Sequence, residues 1–464
     1  MKQQLNERER KVFVEMPEIS SVLTLAVPTV LSQIISVVYN LADTYYIGRT
    51  DNPDMVAAAS ICMTLLLLMT GMANLFGIGG SSLIARCLGA ENFKKARQTS
   101  AFSVWGGVMF VLVYSVLLFL FSGSFLRLLG AGNGTIEYCY TYMFWTCIIG
   151  GLPTVLNPLL AHLVRSEGAS KEASFGVSMG GILNIALDPL FMFVILPKGC
   201  EVAGAAIATM LSNLSATIYF IIYIIRHRKT SVLSLDPRDV SFGNQIPGDV
   251  LSIGLPSFFM TMLSSFSNAV VNNLISGESS AAVAGMGIAK KINMLSVRVS
   301  TGITQGALPL IAYNHTAGDF KRMKKSILSA AGLAVGFASV CMCISFLFGG
   351  IFVGFFIDDA ETVRFGRYFV KTICLAMPLA AATMTFMMLF QATARKAKAT
   401  LISMLRKGIL DVPLMFALNR IWPLYGVARA TPIAELAACT IAVTTAFRFL
   451  KSLKAGDSPL TGGR

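Results

Sequence analysis

Leu25-Ala26-Val27-Pro28, followed by Asn40, is answered later in the chain by Ile253-Gly254-Leu255-Pro256, followed by Asn268, at an offset of 228 residues (256 − 28). Ile84-Ala85 and Ala90-x-Asn92-Phe93-Lys94 are answered by Ile311-Ala312 and Ala317-x-Asp319-Phe320-Lys321, at an offset of 227 (320 − 93). Ala186-Leu187-Asp188-Pro189-Leu190 meets Leu410-Asp411-Val412-Pro413-Leu414, at 224 (413 − 189). An offset that drifts slowly is what small deletions in a duplicated unit produce. Both copies are strongly apolar, so the duplicated unit reads as a membrane bundle, and duplication in such bundles is above all a transporter signature.

Composition sets the same frame. A mean hydropathy of +0.67, with 55% hydrophobic and only 13% charged residues, excludes an ordinary soluble enzyme and a disordered chain. Apolar stretches of roughly 20 residues or more, enough to span a bilayer, are read at 20–47, 56–85, 97–121, 136–161, 173–196, 202–225, 248–276, 281–312, 326–354, 365–392, 399–419 and 426–450. The expectation is an all-α polytopic membrane protein of about twelve helices. Because each repeat holds an even number of spans, the two are parallel repeats with the same orientation.

The net charge of +14 follows topology, not nucleic-acid binding. Basic residues crowd alternate connections, among them Arg8, Arg10 and Lys11, then Lys94, Lys95 and Arg97, then Arg226, Arg228 and Lys229, then Lys321, Arg322, Lys324 and Lys325. The opposite set holds little beyond Arg49, Arg127, Lys198 and Arg420. The positive-inside rule then places both termini in the cytoplasm; the plasma (inner) membrane is the expected location, and no cleavable signal peptide is read. The expected organisation is a cytoplasmic segment 1–19, an N-lobe 20–225, a polar linker 226–247, a C-lobe 248–450 and a cytoplasmic tail 451–464.

Several features read as packing. The run Gly77-Ile78-Gly79-Gly80-Ser81-Ser82 lets helices approach closely and has neither the strand nor the lysine of a phosphate loop. The nine cysteines show no metal-ligand spacing and no disulfide framework. His162, His227 and His315 are expected in solvent near loops, and Asp358, Asp359 and Glu361 in a solvated acidic loop. No motif of an integral membrane enzyme or an ATP-driven pump is found, so no enzyme and no cofactor are expected.

Charges at membrane depth carry the functional signal, because each costs several kcal/mol unless paired, hydrated or neutralised. Ser36, Asn40 and Asp43 share one helical face with Tyr39 a turn away, and Pro28 is a candidate kink four turns earlier. Asn184 and Asp188 share another face, beside the helix breaker Pro189. Carboxylate, amide and carbonyl oxygens suit a sodium ion, and a buried carboxylate equally suits a proton. The second half lacks the first carboxylate, since Val271 stands at the position of Asp43. It has Asp411 near the counterpart of Asp188 and adds Lys290, Lys291, Arg406 and Lys407, read as snorkelling or lying in helix extensions on the cytoplasmic side. A C-lobe cavity is expected from Arg298, Gln305, Asp411 and Glu435, with an Arg298–Glu435 ion pair.

With these residues in place the chain resembles the multidrug and toxic compound extrusion (MATE) transporters. The resemblance runs from about Leu25 to Phe449 through Y-N-L-A-D-T-Y-Y-I-G (39–48), G-I-G-G-S-S-L-I-A-R (77–86), R-S-E-G (165–168), N-I-A-L-D-P (184–189), V-A-G-A-A-I-A-T (202–209), T-Q-G-A-L-P-L-I-A-Y-N (304–314) and A-T-P-I-A-E (430–435). It implies two six-helix lobes around a V-shaped cleft and export of organic cations in exchange for protons or sodium ions. It puts the coupling ion at Asp43 and Asp188, with Tyr39, Asn40 and Asn184 beside them. Expected partners are organic cation substrates and membrane lipid, with no nucleic acid and a monomeric state. The alternative is a flippase for a lipid-linked saccharide or related anionic lipid, related at the superfamily level.

Overall fold

The computed structural model describes residues 5–50, 52–276 and 279–453, and the described chain is all-helical. The expected tail 451–464 lies outside the described residues from 454 onward. Among the described residues nine helices are long and apolar enough to cross a membrane, ten when Ile136–Ile149 and Gly151–Ser166, bent by 52°, count as one span. Two further helical stretches, Ser280–Thr316 and the run of Lys396–Met404, Leu405–Ile409 and Asp411–Ile421, hold the cationic residues of the second repeat. With them the count is consistent with twelve spans. Large apolar side chains such as Met109, Phe119, Leu120, Leu347 and Phe355 are exposed, a surface that suits hydrocarbon and not water.

The repeated motifs have local causes. Asn92 accepts from Lys95 N to cap Phe93–Leu120, and its counterpart Asp319 accepts from Arg322 N to cap Phe320–Gly354. These caps satisfy backbone donors that a helix start leaves open. The residue just before each cap lies in the left-handed region, Glu91 with φ 54° in one repeat and Gly318 with φ 79° in the other. In the acidic loop, Asp359 accepts from Thr362 N at 2.8 Å and caps Ala360–Ile373.

The chain divides into two compact units, one of Met1–Lys11 and Ile34–Thr261, the other of Val12–Gln33 and Met262–Arg464. These boundaries differ from the linear lobes expected of the sequence, because both fall inside helices. One cuts Glu18–Gly48 after Gln33 and the other cuts Ile246–Ser276 after Thr261, and the two cuts are 228 residues apart (261 − 33). That is the offset of Pro28 and Pro256, so each repeat lends the first half of its first long helix to the other unit.

Close backbone packing explains this exchange. In the first unit, a Cβ on Gly79 would collide with the Val250 carbonyl, and one on Gly254 with the Leu75 carbonyl. In the second, a Cβ on Gly306 would come within 2.7 Å of Ala26 Cα, and one on Gly302 within 2.8 Å of Val30 Cα. The small-residue run 77–82 therefore packs as expected, with Gly77 against His162 and Gly80 against Ser103. His162 corrects the expectation of a solvated ring: it is buried, because Gly77 leaves room for it between helices.

The linker 226–247 is not loose. Ser231, Val232, Leu233 and Ser234 are buried within the first unit. Glu167 of the R-S-E-G motif accepts from Ser231 Oγ at 2.7 Å and from Val232 N at 2.6 Å, and Arg97 Nε donates to Asp239 at 2.7 Å. Glu9, from the short helix Glu7–Arg10, is buried in the same region, where its Oε2 accepts from Asn6 N and its N donates to Asn6 Oδ1.

Candidate ion-binding site

Asp43 comes from Glu18–Gly48, Asn184 and Asp188 from Ser170–Leu190, Tyr142 from Ile136–Met143 and Thr209 from Glu201–His227. Glycines bring these helices together. Gly181 lies against Ile35 and Tyr39, and Gly180 against Ser212 and Ala216, so the Ser170–Leu190 helix meets both neighbours at short range. Pro189 ends the regular helix: Phe191–Ile195 continues as a π-turn, a form that leaves the normal backbone ladder and recurs at functional sites.

Asp188 is fully buried and Asn184 is 3% exposed. Asn184 Nδ2 donates to Asp188 Oδ1 at 3.0 Å and to Thr209 Oγ1 at 3.4 Å. The carboxyl groups of Asp43 and Asp188 interact electrostatically, and the buried hydroxyl of Tyr142 lies in the field of both. At this site three buried acceptor oxygens have no hydrogen bond among the described residues: Asp43 Oδ1, Asp188 Oδ2 and Asn184 Oδ1. Unmatched buried acceptors are costly, and this set is one that a small hard cation or a proton satisfies.

The structure thus brings Asp43, Asn184 and Asp188 together. Asn40 turns its amide to Ser36 O on its own helix at 2.6 Å, and Tyr39 packs on Gly181. Pro28 sits inside an unbroken helix, where Thr29 Oγ1 donates to Leu25 O at 2.9 Å. Tyr142 and Thr209 escaped the sequence reading, Thr209 even though it closes the quoted 202–209 motif.

The second unit has its own polar cavity of about 90 Å³, lined by Asn268, Lys290, Asn293, Lys407, Asp411 and Thr431 among others. Asp411 Oδ2 accepts from Ser267 Oγ at 2.7 Å and from Lys407 Nζ at 3.3 Å. Glu435 does not pair with Arg298. It accepts from Arg406 Nε at 2.6 and 2.9 Å, with both side chains almost fully buried. Arg406 and Lys407 therefore do not snorkel: the π-turn Leu405–Ile409 aims them at carboxylates within the unit. Gln305 is within 3.5 Å of Gln33, and neither it nor Arg298 lines the cavity.

The MatE family profile matches residues 28–190 and again 256–417, the two repeats in turn. The chain belongs to the MatE family. Within it, the chain is 27% identical over 452 residues to the multidrug export protein MepA of Staphylococcus aureus, covering 97% of this chain and 98% of that one. It is 29% identical over 423 residues to MepA of Staphylococcus saprophyticus, covering 91% and 92%. The fold matches a solved outward-facing multidrug resistance MATE family transporter of the MOP superfamily with a TM-score of 0.89 and 21% identity, over 97% of this chain and 99% of that one. The MatE family assignment fits a multi-pass membrane protein built from two repeats.

Proposed function

We propose that this chain is a secondary active multidrug exporter, moving organic cations out across the cell membrane in exchange for protons or sodium ions, with both termini in the cytoplasm. The observation that carries this reading is the trio of unpartnered acceptors on Asp43, Asn184 and Asp188. Two carboxylates share one buried site and, among the described residues, have no cationic side chain as a hydrogen-bond or ion-pair partner, so an ion from outside neutralises them. Ion entry then lowers the site's affinity for a cationic substrate, and alternating access of the two units returns it to the other side. The helices Glu18–Gly48 and Ile246–Ser276, each passing from one unit into the other, are the natural covalent hinges. The names of the MepA relatives support the multidrug reading.

The test is uptake of a fluorescent organic cation into inverted vesicles under an imposed proton or sodium gradient. Accumulation in the natural chain, lost in Asp43→Asn and in Asp188→Asn, is expected, and the gradient that works identifies the ion. Full accumulation in both variants removes the site from the mechanism. The cationic cavity of the second unit favours the alternative, a flippase for an anionic lipid-linked saccharide; no accumulation under either gradient is its mark.

A further inference from the structure

The second unit's cavity occupies the position that the repeat assigns to the ion site, but with the charge changed. Asn268 stands where Asn40 does and Val271 where Asp43 does, at the offset of 228; Lys407 and Asp411 repeat the i, i+4 spacing of Asn184 and Asp188 at 223 (411 − 188), one residue out of the register of the prolines that follow, which are 224 apart. One carboxylate has become apolar and one amide an ammonium. Lys407 then supplies Asp411 with a built-in counter-charge at 3.3 Å, and Arg406 does the same for Glu435 at 2.6 Å.

Lys290 is left over. It lines the cavity beside Lys407 and Asp411, is only partly exposed, and has no hydrogen bond or ion pair among the described residues. Three cations, Lys290, Arg406 and Lys407, thus face two carboxylates, Asp411 and Glu435. Asp411 lies in the field of Lys290 without pairing with it directly, and Lys407 already holds that carboxylate, so the excess positive charge at membrane depth costs free energy, and the polar cavity beside it offers a place for an anion. Asp411, 1% exposed, also leaves Oδ1 without a hydrogen bond among the described residues, so the cavity has an open donor and an open acceptor.

We propose that this cavity binds a small monoanion, a halide or a carboxylate group, on Lys290 Nζ, with Asn268 and Thr431 as neutral donors. The carboxylate of Asp411 does not exclude it, because Lys407 and Ser267 already hold Oδ2 and the net charge of the cluster is positive. Asp411 Oδ1 then takes the water that accompanies the anion. The volume of about 90 Å³ suits a hydrated halide or one carboxylate group. It is too small for a whole drug-sized ligand, which fills roughly 300 Å³ or more. The ion comes from solution or is the carboxylate of a carried solute, and the chemistry is the same.

The test is independent of transport and of the proposed coupling ion. Thermal unfolding of the purified full chain is followed in sodium 2-(N-morpholino)ethanesulfonate, whose anion is bulky and carries no carboxylate, as that anion is exchanged for chloride or for acetate at constant sodium and ionic strength. A saturable rise in unfolding midpoint is expected, retained in Lys290→Arg and weakened at least tenfold in half-saturating concentration in both Lys290→Met and Lys290→Gln. Protection by chloride assigns a free ion, and protection by acetate alone assigns a solute carboxylate. No anion response in the natural chain, or an equal response in Lys290→Met and Lys290→Gln, overturns the proposal.

Discussion

Lys407 donates to Asp411 at 3.3 Å from one helical turn earlier in sequence, and in the first repeat, within one residue of that register, Asn184 makes the like i, i+4 contact to Asp188 at 3.0 Å. A tethered ammonium therefore takes the place that, in the other unit, is left to an external ion. Lys407→Asn should lower the unfolding midpoint at neutral pH, on the order of the few kcal/mol that follow from leaving a buried carboxylate unpaired. Added sodium or a lower pH should restore part of it. A midpoint that falls with no response to either would mean that the two positions are not equivalent.

Thr209 closes the first site by accepting from Asn184 Nδ2, which orients the amide so that its oxygen faces the unpartnered side. Thr209→Val keeps the shape and removes the hydroxyl. Outer groups that orient ion ligands are typically worth ten- to a hundredfold in affinity. The gradient needed for half-maximal cation uptake should therefore rise about tenfold in Thr209→Val, in keeping with that range, while expression and unfolding midpoint stay close to the natural chain. Vesicle uptake across a series of proton and sodium gradients measures it.

The first site was legible in outline because charge in an apolar stretch is rare, so Asp43 and Asp188 stood out, and i, i+4 spacing tied Asn184 to Asp188. Tyr142 and Thr209 did not, since a tyrosine or threonine costs little in a membrane helix and neither lies near the carboxylates in sequence. Arg298 was paired with Glu435 on charge alone, whereas the helix geometry that selects Arg406 depends on a π-turn no periodicity announces. The unit boundaries inside helices were hidden for a similar reason. A repeat shows which halves correspond, not which copy each half packs against. His162 escaped because a glycine one helix away, Gly77, made the space that buries it.

Glu9 and Glu167 set a pH dependence outside the membrane spans. Burial raises Glu9 to about 8, helped by the nearby charge of Glu167. Burial likewise raises Glu167 to about 7, against the hydrogen bonds from Ser231 and Val232. Both carboxyls are held above their ordinary value, so the folded chain binds more protons than the unfolded one between pH about 4.5 and 8. Stability from these groups is then highest on the acid side and declines as pH rises to about 8. Unfolding midpoints measured from pH 5 to 9 should fall through this window, and Glu9→Gln should flatten the decline. A midpoint that rises across it would contradict the burial of these two groups as uncharged acids.

Gly254 and Gly332 separate close packing from helix propensity. An added Cβ at Gly254 meets the Leu75 backbone, which cannot rotate away, whereas nothing lies within 4 Å of the exposed Gly332 in the Phe320–Gly354 helix. Gly254→Ala should cost about 1–3 kcal/mol, the usual price of overpacking. Gly332→Ala should be neutral or gain up to about 1 kcal/mol from helix propensity. Gly306, which faces Ala26 and Leu25 across the equivalent contact of the second unit, should respond like Gly254. Unfolding midpoints of the three single variants decide the matter. If Gly306→Ala behaves like Gly332→Ala, the first half of the Glu18–Gly48 helix is not packed in the second unit as Gly79 and Gly254 pack the Ile246–Ser276 helix in the first.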